Sequence, residues 1–258
     1  MTCLAESERK AVAVGGMGPP GGRSMVSVSE GYARWATTYD NAPNPLLARE
    51  ERFLLPRLAN LREKKILDLA CGTGRWLARL IARGESGVGL DCTEAMLRVA
   101  GQKPNIAGRL ARASCENLPF CRHAFDLVIC SFAISHIRDL RQFATELARV
   151  VKPSASVFVS DLHPVAYERG WRVGFRDASG AAEIETLPRS AEEIIRTFQA
   201  NRFDCQTQVN LRLGDPERPI FCRAGKLGSF LSACQSPAIQ IFQFSRNCPT
   251  VADSRGFR

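Results

Sequence analysis

ILDLACGTGRW, residues 66–76, decides the fold. A mostly apolar run from Ile66 to Ala70 enters a turn of small residues with glycines at 72 and 74, and a helical pattern starts immediately afterwards. A strand, a small turn and a helix in that order open a βαβ unit, in which ligands sit beyond the carboxyl end of the strand. The turn glycines let backbone approach a ligand closely, and the helix start presents unpaired N–H groups to a polar or anionic group.

Outward from this unit, strand and helix signals alternate. Strands are expected at 65–69, 87–91, 108–113, 125–131 and 155–161, with helices at 74–83, 93–100 and 138–150. That order predicts a doubly wound parallel sheet with helices on both faces. Ahead of it, Tyr32, Trp35, Ala36 and Tyr39 fall at i, i+3, i+4 and i+7 on one helical face, and 45–61 reads as a helix interrupted near Pro56. Beyond Pro164 the texture changes. A polar segment runs to about 188, a helix starts at Ser190 with Glu193 completing a capping box, and strands follow at 205–213 and 238–244 around a helix near 225–234. Residues 1–24, with GGMGPPGG, are expected to form a flexible extension, 25–246 one domain, and 247–258 a flexible tail.

At 258 residues the chain is long enough for one generous α/β domain. Its 45% hydrophobic and 24% charged residues match ordinary globular proteins, and no apolar run reaches the ~20 residues of a membrane span. The start of the chain is too charged for a secretory signal, so a cytoplasmic protein is expected. Ten cysteines are scattered singly, without zinc spacing, and no metal is expected. The net charge of +9 is spread along the chain without aromatic and basic interleaving, so nucleic-acid binding is not expected.

The turn itself narrows the ligand. A dinucleotide fingerprint needs Gly or Ala in a third place where this chain has Leu77, and no Lys-Ser or Lys-Thr follows to make a phosphate loop. VGLDCTEAML, residues 88–97, ends a strand on Asp91, whose carboxylate can accept from both hydroxyls of a ribose.

The ordered series YDNAPN, ILDLACGTG, VGLDCTEAML, ENLPF, FDLVICSFAISHIRDL and ELARVVKPSASVFVSDLHP, over about residues 30–165, resembles the class I S-adenosylmethionine-dependent methyltransferases. The likeness is strongest to the type 11 group that includes the ubiquinone and menaquinone biosynthesis enzymes. It implies a Rossmann-like sheet of seven strands, mostly parallel with the last one antiparallel, with a cofactor half at about 30–165 and acceptor-side elements at about 166–246. It also implies S-adenosylmethionine as cofactor and a small-molecule acceptor methylated on O, N or C. Asp68, Ala70, Gly72 and Gly74 would shape the loop beside the methionine part, Asp91 would hold the ribose, and Cys92 and Met96 would pack near the adenine. Ser114 and Cys115 stand where the family often has Asp-Ala, and Tyr39 and Ser131 complete the implied cofactor set. His136, Asp161 and His163 are the candidates for removing an acceptor proton. Two departures stand out: KPSA at 152–155 where the family usually has KPGG, and Arg202-Phe203 in place of Gly-Phe. Ser114 and the missing KPGG glycines motivate an alternative, a catalytically silent binding protein with a degenerate form of this fold; an NAD-dependent oxidoreductase is a further alternative, which Leu77 disfavours. The sequence carries no sign of oligomeric state.

Overall fold

The computed structural model describes residues 23–41, 43–58 and 64–247; the expectations for 1–22 and 248–258 lie outside the described residues. In chain order the elements are β1 (Arg23–Val26), α1 (Val28–Trp35), α2 (Pro45–Leu54), β2 (Lys65–Leu69), α3 (Arg75–Ala82), β3 (Ser86–Asp91), α4 (Glu94–Gly101) and β4 (Leu110–Arg112). Next come β5 (Phe125–Ser131), α5 (Leu140–Val150), β6 (Val151–Leu162), α6 (Pro164–Glu168), β7 (Gly174–Asp177) and β8 (Gly180–Ile184). The chain continues through α7 (Ala191–Ala200), β9 (Phe203–Leu211), α8 (Arg218–Arg223), α9 (Phe230–Cys234) and β10 (Ile239–Arg246), and a 3₁₀ turn at Ala36–Asn41 prolongs α1.

Seven strands form one sheet in the order β4-β3-β2-β5-β6-β10-β9. β2 pairs in parallel with β3 and β5, while β10, the last strand of the chain, runs antiparallel to β6 and β9. The α/β sheet expected from the sequence is therefore present, with its last strand antiparallel. The central strands bury both faces, as strands covered by helices on each side must. Leu67, Val128, Val157 and Phe242 turn toward α5 and α7, whereas Ile66, Leu127, Phe158 and Ile241 turn toward Leu54 of α2 and Trp76 of α3. Strand order reverses between β2 and β5, so the sheet opens its ligand crevice at the carboxyl end of β2.

Two segments differ from the sequence expectation. The stretch read as polar to 188 contains α6 and the β7–β8 hairpin, which pairs in parallel with β1 to make a second, three-stranded sheet. Its glycines and alanines have little strand preference of their own. The pairing forms because Trp35 stacks on Phe175 at 5.6 Å and Gly31 lies so close to Ile184 that a Cβ there would be 2.6 Å from its Cγ1. Of the helix expected near 225–234 only α9 forms, after a 3₁₀ turn at Leu227–Ser229, while α8 starts inside the preceding GDPERPIF stretch and ends before Gly225, whose φ is +66°. By contrast, α7 starts at the expected cap, with Ser190 Oγ accepting from Glu193 N at 3.1 Å, although the Glu193 carboxylate takes Arg189 at 2.7 Å and does not complete the capping box.

The KPSA departure is a bulge. Phe125 pairs with Val151 and Leu127 with Ser156, so residues 152–155 face Asp126 alone, and β6 begins at Val151 instead of 155. Ser154 crosses this bulge with φ +63°, and Arg202 turns before β9 with φ +62°, both in the left-handed region where glycine is unstrained. Replacing exposed Ser154 by Gly should raise the unfolding free energy by about 0.5–1 kcal/mol, and Ser154→Val should lower it. The check is the denaturant midpoint at unchanged slope, and a Gly variant no more stable than the parent would refute the strain.

Candidate active site

A cavity of about 360 Å³ lies over the carboxyl ends of β2, β3 and β5. The loop after β2 makes its floor. Ala70, Gly72 and Gly74 all have positive φ, and the carboxylate of Asp68 accepts from Leu77 N at 2.9 Å, so the strand end caps the first turn of α3. A Cβ on Gly72 would meet nothing within 4 Å, because that position faces open cavity. Asp91 ends β3 on the same wall, with Oδ2 accepting from Gly72 N and Oδ1 from Thr93 N, each at 2.8 Å. Each carboxylate oxygen keeps further acceptor capacity toward the cavity.

The roof is the N-terminal segment. Asp40 accepts from Thr73 Oγ1 at 2.8 Å and pairs with Lys103 at the same distance, tying the 3₁₀ turn to the floor loop and to the end of α4. Tyr32 Oη lies 2.9 Å from His136 Nε2, and His136 Nδ1 lies 3.0 Å from the carbonyl of Glu185 just after β8. A carbonyl can only accept, so Nδ1 carries the proton, Nε2 holds a lone pair and Tyr32 donates to it. Burial holds the His136 pKa below its ordinary value and the Tyr32 pKa well above its own, which keeps both groups neutral near neutral pH.

Ten of the eleven residues expected around the cofactor line this cavity: Tyr39, Asp68, Ala70, Gly72, Asp91, Cys92, Met96, Ser114, Cys115 and Ser131. Gly74 lies behind the wall, where a Cβ would stand 3.2 Å from Ala100 Cβ, so it sets the packing of α3 on α4. His136 is on the cavity wall. Asp161 is on the wall of an adjoining cavity of about 50 Å³, together with Tyr32, Tyr39, Phe132 and Trp171. Its carboxylate accepts from Ser135 N at 2.6 Å, Ser135 Oγ at 3.1 Å and Leu162 N at 2.7 Å, and burial pushes its pKa up to about 6. His163 is on the wall of neither cavity; its Nδ1 accepts from Val165 N at 3.2 Å and caps α6.

Several wall residues were not singled out from the sequence. Arg75 and Trp76 stand inside the decisive stretch itself, at the first two positions of α3, and Glu116 and Arg138 close the far end. Behind the wall, Glu50 of α2 is fully buried and takes Arg75, Ser131 and Ser160 as partners. Its position was legible as a charge on an apolar stripe, since Leu46, Glu50 and Leu54 recur every four residues. Among the described residues no helix is long and apolar enough to cross a membrane, and no group of His, Cys, Asp and Glu could hold a metal ion.

Residues 66–154 match the family described as methyltransferase domain. Among curated proteins, the chain is 32% identical over 148 residues to a biotin biosynthesis bifunctional protein of Cellvibrio japonicus, covering 56% of this chain and 30% of that one. It is 40% identical over 98 residues to a demethylmenaquinone methyltransferase of Lactiplantibacillus plantarum, covering 35% and 41%. The chain thus spans less than half the length of these two relatives. Among solved structures it resembles the geranyl diphosphate C-methyltransferase of Streptomyces coelicolor, crystallised with S-adenosyl-L-homocysteine, with a TM-score of 0.58 at 15% identity over 77% of this chain and 76% of that one. That likeness concerns the fold alone.

The Asp68 carboxyl, buried under α3, has its pKa pushed up to about 7 against an ordinary value near 3.9. Between about pH 4 and 7 the folded protein keeps a proton that the unfolded chain has released, so this group lowers stability as pH rises through that window and adds no further slope above it. Asp68→Asn keeps an acceptor for Leu77 N and removes that slope. It should match the parent near pH 4 and exceed it at pH 8 by on the order of 1–3 kcal/mol in denaturant unfolding. Identical pH profiles for the two proteins would contradict this assignment.

Proposed function

Because residues 66–154 belong to the methyltransferase-domain family and the sheet has the fold of S-adenosylmethionine-dependent methyltransferases, we propose that this protein methylates an O, N or C atom of a small-molecule acceptor. The observation that carries the reading is the convergence on one cavity of Asp91, the open loop at Gly72 and the lone pair of His136. The cofactor supplies a methyl carbon already activated by a sulfonium. The chain then has to orient the two reactants in line and keep water out.

Its residues suit those tasks. Asp91 has free acceptor capacity for ribose hydroxyls, and the side chains of Cys92 and Met96 offer soft apolar contact to a base. Ser114, whose Oγ accepts from Glu116 N at 3.1 Å, can receive a hydrogen bond from an amino group without adding charge. The aromatic-walled cavity beside Asp161 adjoins the main one through Tyr32, Tyr39 and Phe132, and in this reading it takes the acceptor. Where the acceptor must lose a proton, Tyr32 Oη is the group to receive it as it passes its own proton to His136 Nε2, whose other nitrogen is already fixed by the Glu185 carbonyl. Asp161 is the second candidate, mostly ionised at neutral pH. An acceptor with its own lone pair needs neither.

Excess S-adenosylhomocysteine should raise the melting temperature of the parent by several degrees, and Asp91→Ala should lose most of that rise. His136→Asn should keep the rise. With labelled cofactor and a small-molecule extract the parent should label acceptors, and for an acceptor that loses a proton His136→Asn should be slower by about a hundredfold or more. A parent with no thermal response to S-adenosylhomocysteine would overturn the reading.

A further inference from the structure

The small cavity beside Asp161 has an uneven wall. Among the described residues it is lined by five aromatic side chains, Tyr32, Trp35, Tyr39, Phe132 and Trp171, and by two charged ones, Asp161 and Arg172. The two charges are not equivalent. Arg172 is engaged by the protein: Nε pairs with Glu183 at 3.1 Å, and Nη1 donates to the carbonyls of Tyr167 at 2.6 Å and Trp171 at 2.8 Å. Its guanidinium also lies 4.0 Å from the centre of the Tyr167 ring.

Asp161 has hydrogen bonds without a countercharge in contact. Oδ1 accepts from Ser135 Oγ and Leu162 N and Oδ2 from Ser135 N, three neutral donors for about four acceptor positions. Arg189, whose field reaches Asp161, is paired with Glu193 at 2.7 Å. A carboxylate only 3% exposed and held in this way is completed by a cation. The rings favour the same guest, because their faces are negative and attract a cation within about 6 Å most strongly where water is excluded. At about 50 Å³ the cavity admits a head of roughly three to five non-hydrogen atoms, at ~10–15 Å³ each. A phenolate or carboxylate nucleophile would meet Asp161 as a like charge.

We propose that the acceptor is a small aliphatic amine, methylated on nitrogen, whose ammonium form Asp161 holds between the aromatic walls; this rests on the methyl-transfer reading above. An alkylammonium, with a pKa near the ~10.4 of a lysine side chain, arrives with one proton too many to react. It gives that proton to Tyr32 Oη, on the wall of both cavities, as Tyr32 passes its own to His136 Nε2. The nitrogen lone pair then forms the N–C bond, and the electron pair of the C–S bond returns to sulfur. Positive charge thus leaves the sulfonium and develops on nitrogen, beside Asp161, which stabilises the transition state more than the neutral amine.

With labelled cofactor, n-butylamine, n-butyrate and 1-butanol at equal millimolar concentration separate the acceptor classes. The parent should label butylamine at least about tenfold faster than the other two. Tetramethylammonium, a permanent cation that cannot accept a methyl group, should inhibit this labelling and raise the melting temperature of the protein saturated with S-adenosylhomocysteine. The compound tert-butanol, similar in shape and uncharged, should do neither. Asp161→Asn should label butylamine about tenfold to a hundredfold more slowly and lose the response to tetramethylammonium, while its own thermal response to S-adenosylhomocysteine shows that it is folded. The comparison within the parent decides the matter even where that variant does not fold. A parent that responds to S-adenosylhomocysteine yet labels butyrate or butanol as fast as butylamine, labels none of the three, or holds tert-butanol as well as tetramethylammonium overturns this inference alone. A parent with no response to S-adenosylhomocysteine overturns the cofactor reading and this one with it.

Discussion

The contact on which the rest of the site depends is the hydrogen bond from Leu77 N to the carboxylate of Asp68, 2.9 Å long and wholly buried. It joins the last turn-out of β2 to the first turn of α3 within nine residues, and so short a bridge leaves the chain between them little freedom. The loop closes only by putting Ala70, Gly72 and Gly74 into left-handed conformations, one of them an alanine that bears the strain. That geometry turns Gly72 N toward Asp91 and Arg75 toward Glu50, so the floor of the cavity follows from one capped helix. Burying a carboxyl this deeply is costly, and its raised pKa is the visible form of that cost.

The roof follows from a different constraint, the pairing of β1 with β8. Helix α1 has only eight residues, too few to be stable alone, and it is held because Trp35, Phe175 and Ile184 form a small separate core. Arg34 adds a forked contact to Asp177 at 3.0 and 3.2 Å. Immediately after β8 comes Glu185, whose carbonyl fixes the His136 tautomer. Roof placement and the protonation pattern of the candidate base thus share one element, the hairpin inserted between β6 and α7.

Much of this was legible in the residue order. Buried strands such as KILDL and FDLVICS and the amphipathic α3 and α5 carry strong periodic signals, because sheet and helix faces must each find apolar cover. Most of the expected cofactor residues line one cavity for the same reason: they sit at strand ends, and the topology gathers strand ends. What was not legible depends on long-range partners. The β7–β8 hairpin has weak local preference and exists through β1, some 150 residues earlier in the chain. Gly74 could be recognised as a required glycine, but its reason, the approach of Ala100 and Ile106, belongs to the packed helices. Arg75 reads as an ordinary exposed helix residue until Glu50 is placed behind it.

The Tyr32–Trp35–Tyr39 stripe serves the small core and the cavities at once. Trp35 packs into the small core against Phe175, while Tyr32 and Tyr39 reach past it to both cavities. A helix with one apolar stripe has enough angular width to do both, because residues three and four apart diverge by tens of degrees around its axis. The aromatic ring anchored in the core therefore determines where the two tyrosine hydroxyls lie. A change at Phe175 or Trp35, outside the main cavity wall, would act at His136 by moving Tyr32, since the hydrogen bond to Nε2 tolerates only a few tenths of an ångström. In the proposed reading the seven-stranded sheet holds the cofactor's place, and the hairpin and the N-terminal helix shape the acceptor's.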